Sequence, residues 1–349
     1  MHPWLLFEPL IVYYCPNRSS DKLQNIVKHL KVGHYPLIMK LFINFSNFKK
    51  SWLHIFRIGV ALSILIFLIA STSVESILNT FRNINPLWGG ISGCGLIAFF
   101  LLGGFNVWIL LRTMHTISFS AFLNIYSYSW SLSLVTPGQV GDASLILFLK
   151  KCGIPIRQTG IAYIIDKIIT FTFFFLVSWL GSYLFLGILK GIWLPLIMTA
   201  IALIVVGFML FWVLPHHFSF ATKIRNWIDD LVLELQIFKN QWYILLINTM
   251  LTAVKWGVLS LCYFTAFYAF NVFVKWPEIG IIPILASLVG YIPVSISGIG
   301  TVELTATFLF SKIGVTPSVV LSVYLFMRTL QFIMALILIA SLKFFKTTK

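Results

Sequence analysis

The sequence predicts an all-α polytopic membrane protein, with about eight transmembrane helices and two re-entrant half-helices related by an internal repeat. Of the 349 residues, 59% are hydrophobic and only 10% are charged, and the mean hydropathy is +0.95. A soluble chain of this length would have too few polar residues to cover its surface. In addition, one pattern of glycine, proline and charged residues occurs twice along the chain.

Apolar runs long enough to cross a bilayer recur along the chain. A helix needs about 20 apolar residues to cross a hydrocarbon core of about 30 Å. We therefore expect a single membrane domain over 52–342, in which the runs at 119–136 and 279–296 are the shortest. The predicted spans are 52–71, 86–111, 119–136, 160–189, 192–214, 243–271, 279–296 and 317–342.

Basic residues predict the orientation. The chain carries 25 Lys and Arg against 10 Asp and Glu, which in a membrane protein indicates orientation and anionic headgroups, not nucleic acid. We expect the basic segment 1–51 and the basic tail 343–349 to be cytoplasmic, in a prokaryotic inner membrane. With eight spans, loops assigned to the outside still hold Arg82, Lys150, Lys151, Arg157, Lys223, Arg225, Lys239 and Lys312.

Two segments outside the spans have distinct interpretations. Met39 begins a short basic lead into the first span, so 1–38 are interpreted as an over-extended start. In 215–241 apolar residues recur at helical spacing opposite charged ones, which predicts an amphipathic helix in the membrane interface. That helix serves either as a passive connector or as a functional arm.

The internal repeat covers 137–167 and 297–328. Matching Asp142 to Glu303 aligns glycines, lysines and prolines that chance matching of apolar residues would not align. The matched positions are Asp142 and Glu303, Lys151 and Lys312, Gly153 and Gly314 and, after one inserted residue (Thr316), Pro155 and Pro317, and Asp166 and Arg328.

Each copy has the start and stop signals of a short helix. Asp142 or Thr301 is the expected N-terminal cap, and a lysine followed by a glycine marks the end. About ten apolar residues reach only about 15 Å, so neither helix can cross the bilayer. Such half-helices need surrounding protein or a water-filled cavity, and they indicate a transporter's substrate site.

Backbone turns are expected where the half-helices begin. The candidate positions are Pro137, Gly138, Gly141, Gly298 and Gly300. We expect Gly141 and Gly300 to tolerate no bulky side chain, because the chain must turn sharply and pack closely there. Gly181, inside a predicted span, is expected to be more tolerant.

At these residues the chain resembles the lysylphosphatidylglycerol synthase transmembrane family, also called the flippase-like domain. The first motif runs from Pro137 to Asp142 and leads to Gly153, Asp166 and Lys167, the last standing where family members more often have arginine. The second runs from Pro293 to Glu303 and leads to Gly314, Val315 and Arg328. Longer members add a soluble domain that aminoacylates lipid, for which this chain has no room. The resemblance therefore implies movement of a lipid with an anionic headgroup between leaflets.

The candidate substrate-binding residues are ionisable side chains inside predicted spans, which cost on the order of 3 kcal/mol each at the centre of a helix. Arg328 would bind phosphate through its planar fork, or form an internal ion pair with a carboxylate. Asp142 and Glu303 would cap the half-helices, or couple transport to a proton or cation. The full set is Arg328, Glu303, Asp142, Asp166, Lys167 and Tyr324; Lys255 has a long stem that would snorkel or serve the site.

Three functions remain in competition. The first is a lipid flippase-like transporter with a central polar cleft. The second is a membrane-embedded lipid-modifying transferase with Asp142 or Glu303 as general base. The third is a non-catalytic subunit that positions a lipid-modifying or glycosyl-transferring partner. The sequence contains no catalytic triad pattern, metal-ligand cluster or nucleotide loop, so we expect a transporter without a cofactor or metal, not an enzyme.

Overall fold

The computed structural model describes residues 74–136, 140–181, 238, 241–291 and 295–347. Within them the chain forms nine α-helices and one 3-10 helix, Val140–Ala143, and no strand. The helices are α1 Val74–Arg82, α2 Pro86–Arg112, α3 Phe119–Ser133, α4 Ser144–Lys151, α5 Ile156–Gly181, α6 Trp242–Ala269, α7 Trp276–Gly290, α8 Thr301–Ser311 and α9 Pro317–Thr347. The predicted segment 1–51, the spans 52–71 and 192–214, nearly all of the helix 215–241, and Pro137 and Gly138 lie outside the described residues.

Four helices are long and apolar enough to cross a membrane. They cover Pro86–Arg112, Ile156–Trp179, Trp242–Ala269 and Pro317–Ala340, which confirms the all-helical membrane class and matches four predicted spans. Local signals start two of them: Asn85 caps α2 by accepting from the N–H of Leu87 at 3.0 Å, and a proline occupies the first turn of α2 and of α9.

The helices α3 and α7 are shorter than their predicted spans. Each has 15 residues, or about 22 Å, which is less than the hydrocarbon core requires. The structure therefore does not confirm 119–136 and 279–296 as complete spans. Each of these helices instead folds back against the short helix that follows it, so that α3 with α4, and α7 with α8, form two hairpins.

Close approach of small residues holds each hairpin together. In the first, the Ser129 hydroxyl donates to the carbonyls of Gly141 and Asp142, both at 3.1 Å. In the second, a Cβ placed on Gly290 would lie 2.8 Å from the side chain of Val302. Small and hydroxylated residues permit this distance between helices inside a membrane protein.

The helices α2 and α6 form the central pair and run antiparallel. The N–H of Asn85 donates to the carbonyl of Ala269 at 2.7 Å, and near the other end Asn106 Nδ2 donates to Thr252 Oγ1 at 2.9 Å. One residue number rises as the other falls, which defines the direction. A Cβ on Gly95 would lie 2.5 Å from a side-chain atom of α6, so glycine sets the spacing.

The order and length of the helices recur along the chain. The first group is α2 to α5 and the second is α6 to α9: the leading helices have 27 and 28 residues and the next have 15 each. A short helix and a long one complete each group. In addition, α3 packs against α9 and α7 packs against α5, so each group lends one helix to the other. Two apolar clusters, one mainly in each group, enclose the polar residues described next.

Candidate functional site

The two short helices end in the same way. Gly153 and Gly314 have φ angles of 89° and 86°, in the left-handed region that glycine adopts at low cost. The N–H of Ile154 donates to the carbonyl of Leu149, and the N–H of Val315 to that of Phe310, both at 3.1 Å. This is the Schellman ending, and it confirms the predicted stop at each glycine.

The two short helices begin differently from the prediction. The α8 cap position is Gly300, with φ 86°, and its N–H donates to Glu303 Oε2 at 2.7 Å. Thr301 instead donates its hydroxyl to the carbonyl of Gly298 at 3.1 Å. Asp142 lies in the 3-10 turn, and no side chain caps α4. Capping by Asp142 and by Thr301 is therefore wrong, and in the first copy the reason is an ion pair.

Each short helix is joined to the long helix after it by an ion pair. Lys167 Nζ lies 3.1 Å from Asp142 Oδ2, and Arg328 Nε lies 2.9 Å from Glu303 Oε1. Arg328 also donates through Nη2 to the carbonyl of Ser297 at 3.1 Å. Glu303 is only 1% exposed. Opposite charges inside an apolar bundle offset part of each other's desolvation cost.

The ion pairs determine how the two copies align. The partners are 25 residues apart in both pairs, so Lys167 is the counterpart of Arg328. Asp142 and Glu303 are 161 residues apart (303 − 142), and the first residues of α5 and α9 are too (317 − 156). The alignment therefore needs no insertion at Thr316. The predicted match of Asp166 to Arg328 is wrong because Pro155 precedes α5 whereas Pro317 is the first residue of α9.

Asp166 and Tyr324 are buried beside the site and not in its wall. Asp166, 2% exposed, accepts from Asn106 Nδ2 at 3.0 Å and lies 4.0 Å from Lys167 Nζ. Tyr324 is 1% exposed, and its ring centroid is 4.8 Å from that of Tyr263. Sequence reasoning missed Asn106, although an asparagine inside an apolar span is a signal of a buried polar contact.

A cavity of about 140 Å³ lies between the two groups of helices. Its charged wall residues are Asp142, Lys167, Lys255 and Arg328, and both hairpins and all four long helices contribute to the lining. Beside it the N–H of Ser297 donates to the carbonyl of Thr136 at 2.9 Å, which joins the two hairpins. The structure thus brings four sequence-predicted residues, Asp142, Lys167, Glu303 and Arg328, to one place.

The glycines predicted as turns also border this region. Gly298 and Gly300 have φ angles of 72° and 86°, whereas Gly141 is confined by close approach, since a Cβ there would lie 2.4 Å from Ser133 Cα. Within the described part of the chain, no group of three His, Cys, Asp or Glu side chains is placed to hold a metal ion.

Comparison with known proteins identifies the family. Residues 54–339 match the family model described as the lysylphosphatidylglycerol synthase TM region, which includes both hairpins and both ion pairs. No curated protein and no solved structure gave a significant match. Because the matched region extends over most of the sequence, the chain belongs to the lysylphosphatidylglycerol synthase transmembrane-region family.

Proposed function

We propose that this protein is a lipid flippase-like transporter, which moves a lipid with an anionic headgroup between leaflets through the central cavity. The observation that carries the proposal is the pair of ion pairs, Asp142 with Lys167 and Glu303 with Arg328, on either side of one cavity. Charged side chains inside membrane bundles are costly and mark pathways for substrates or ions. The family supports a membrane lipid-related role.

The two groups of helices are best interpreted as inverted repeats. Their helices recur in order and length, and the equivalent helices α2 and α6 are antiparallel. Equivalent residues meet where a two-fold axis would pass: Thr136 with Ser297, and Phe99 with Trp256, whose ring centroids are 5.6 Å apart. Inverted repeats with broken helices at their interface are a common transporter plan.

Inversion requires an odd number of crossings between α5 and α6. The predicted span 192–214 supplies one. The chain would then cross six times, at 52–71, α2, α5, 192–214, α6 and α9, and each hairpin would enter and leave on one side as a re-entrant unit. Both termini remain cytoplasmic, as expected for the basic segments 1–51 and 343–349.

This arrangement also improves the distribution of basic residues. It moves to the cytoplasmic side most of the residues that an eight-span topology leaves outside, namely Lys150, Lys151, Arg157, Lys223, Arg225 and Lys239. Arg82 and Lys312 remain outside. The positive-inside rule therefore favours six spans with two re-entrant hairpins over eight spans.

The topology is tested by the side from which single cysteines are labelled. Arg157→Cys is outside with eight spans and cytoplasmic with six, while Lys275→Cys changes the opposite way. We expect a membrane-impermeant maleimide to label Lys275→Cys in intact spheroplasts, and Arg157→Cys only after permeabilisation. Lys312→Cys, outside in both topologies, is the control, and the wild-type chain gives the background. Labelling of Arg157→Cys in intact cells would contradict the inversion.

Transport by this arrangement would alternate between the two hairpins. Displacing the first hairpin would open the cavity to the cytoplasmic leaflet, and displacing the second would open it to the outer one. Each ion pair ties a hairpin to the long helix beside it, so a headgroup that competes for Lys167 or Arg328 would loosen one side. Protonation of Asp142 or Glu303, or binding of a cation, would have the same effect and couple transport to an ion.

Transferase chemistry is less well supported. A general base needs a free carboxylate within reach of substrate, but Asp142 and Glu303 each accept from a cation, and Glu303 lies outside the cavity wall. The third function, positioning a lipid-modifying or glycosyl-transferring partner, would not require two buried ion pairs around a cavity.

A leaflet-resolved assay tests the proposal. We expect purified protein in liposomes to accelerate the redistribution of fluorescent phosphatidylglycerol, measured by dithionite quenching of the outer leaflet. Asp142→Asn should slow it roughly tenfold or more, equivalent to about 1.4 kcal/mol on the barrier, because Lys167 loses its nearest partner. Lys312→Met, on the exposed end of α8, is the control. Rates equal to those of protein-free liposomes would refute a flippase, and a chemically altered lipid would favour the transferase.

A further inference from the structure

We propose that Lys255 is the binding residue for a phosphate oxyanion in the central cavity. The assignment of that phosphate to a lipid headgroup rests on the proposed function, whereas the anion site itself rests on the contacts of Lys255. The residue deepens the transporter model because it provides a fixed anchor separate from the two ion pairs.

Lys255 is a buried cation without a carboxylate partner. It lies halfway along α6, is 8% exposed and lines the cavity. Within the described part of the chain its Nζ forms no ion pair and no hydrogen bond, in contrast to Lys167 and Arg328. Leaving an ammonium unpaired in an apolar bundle costs several kcal/mol, so a conserved charge balance must come from elsewhere or from a bound anion.

The nearest alternative partner is Asp166, which has its own contacts. Its two carboxylate oxygens are held by Asn106 and faced by Lys167, and neither lies within 4.0 Å of Lys255. Lys167 is thus shared by two carboxylates, while Arg328 has Glu303. Asp166 balances Lys255 only at a distance, which leaves the three donor positions of the ammonium for a ligand.

A second donor and an open space lie beside Lys255. A Cβ placed on Gly103 would come within 2.7 Å of the Tyr126 hydroxyl and 3.8 Å of Lys255 Cδ, so both side chains border the space above this glycine. The Tyr126 hydroxyl forms no hydrogen bond to a described residue and lines the cavity. A phenol hydroxyl can donate to an oxyanion, and glycine keeps the space free.

The number of charges and the size of the cavity indicate the ligand. One unpaired ammonium matches one negative charge, which a phosphodiester carries together with several acceptor oxygens. About 140 Å³ admits one such group and leaves acyl chains outside. The offset between α3 and α7 (276 − 119) places Ala98 in α2 opposite Lys255, so only one copy of the repeat provides this anchor.

Binding is measured on the full chain in detergent. The probes are dioctanoylphosphatidylglycerol, inorganic phosphate and uncharged dioctanoylglycerol, each titrated by isothermal calorimetry. We expect Lys255→Met to weaken binding of a phosphate-bearing probe about tenfold or more, as is typical of losing a hydrogen bond to a charged group. Lys255→Arg should retain most of it, and Lys275→Met, an exposed lysine at the start of α7, all of it.

Two further variants separate an anion site from a structural charge. If Asp166 needs Lys255 as its counter-ion, Lys255→Met will lower the thermal midpoint; we expect a midpoint at or above that of the wild type, because a buried unpaired charge is removed. Gly103→Ala leaves every charge in place but fills the space beside Tyr126, and should weaken binding as well. A lower midpoint, or unchanged phosphate binding in Lys255→Met, overturns the proposal.

The probes also separate this site from the transporter proposal. Lys255-dependent binding of the phospholipid supports the headgroup assignment, and Lys255-dependent binding of inorganic phosphate alone assigns the same site to free phosphate. Neither result requires transport. Binding that depends on Lys255, combined with no leaflet redistribution, would refute the flippase while the anion site stands.

Discussion

Replacing Arg328 by methionine is expected to cause the largest loss of stability of any single charge removal in the described bundle. The change leaves Glu303, 1% exposed, without its 2.9 Å partner, and breaking one side of a buried pair costs about 3–5 kcal/mol. The carbonyl of Ser297 also loses its donor. Because that carbonyl lies beside the contact between the hairpins, transport should stop as well.

A double substitution separates the ion pair from the site. Arg328→Met combined with Glu303→Gln removes both charges, so the thermal midpoint should recover most of the loss while leaflet redistribution stays absent. Arg328→Lys should be intermediate, since one ammonium cannot reproduce two differently directed donors, Nε and Nη2. Wild-type redistribution by a stably folded Arg328→Ala would show that Arg328 is only a structural charge.

Replacing Gly141 by alanine is expected to open the first hairpin. A Cβ there would lie 2.4 Å from Ser133 Cα, 2.5 Å from Ser133 N and 2.5 Å from Thr136 Oγ1. Two of these are backbone atoms, which cannot rotate away, so the 3-10 turn that carries Asp142 must move from α3. We expect a loss of about 3 kcal/mol or more and, with valine, loss of folded protein.

Matched glycine variants test this reasoning. Gly257→Ala, in the exposed face of α6 with no atom within 4 Å of the added Cβ, should be neutral or gain up to about 1 kcal/mol of helix stability. Gly300→Val should be severe because a branched residue resists φ 86°. Equal unfolding midpoints for Gly141→Ala and Gly257→Ala, measured by chemical denaturation in detergent, would contradict the close approach.

Gly181 is a poorer comparison than its position in a span predicts. A Cβ there would lie 2.6–2.7 Å from three side-chain atoms of Ile281, so valine must displace that side chain. Its effect should fall between those of Gly141 and Gly257, because a side chain can rotate where backbone cannot. Hydropathy identifies Gly181 as helical but does not reveal which helix lies against it.

Properties that depend on neighbouring residues could be predicted from the sequence by itself. Membrane class follows from composition, four long spans follow from their apolar runs, and the stops at Gly153 and Gly314 follow from a glycine after a lysine. Each depends on a few consecutive residues and their contact with lipid or with the next peptide group. The repeat itself was also visible, because charge and glycine recur at the same spacing.

Only the tertiary structure decided which charges meet. Asp142 with Lys167, and Glu303 with Arg328, are pairs of residues 25 apart brought together by a hairpin folding against a long helix. The free ammonium of Lys255 and the confinement of Gly141 likewise depend on helices that are distant in sequence. Hydropathy and local propensity carry no information about such contacts, because the energy of a buried charge is set by what surrounds it in three dimensions.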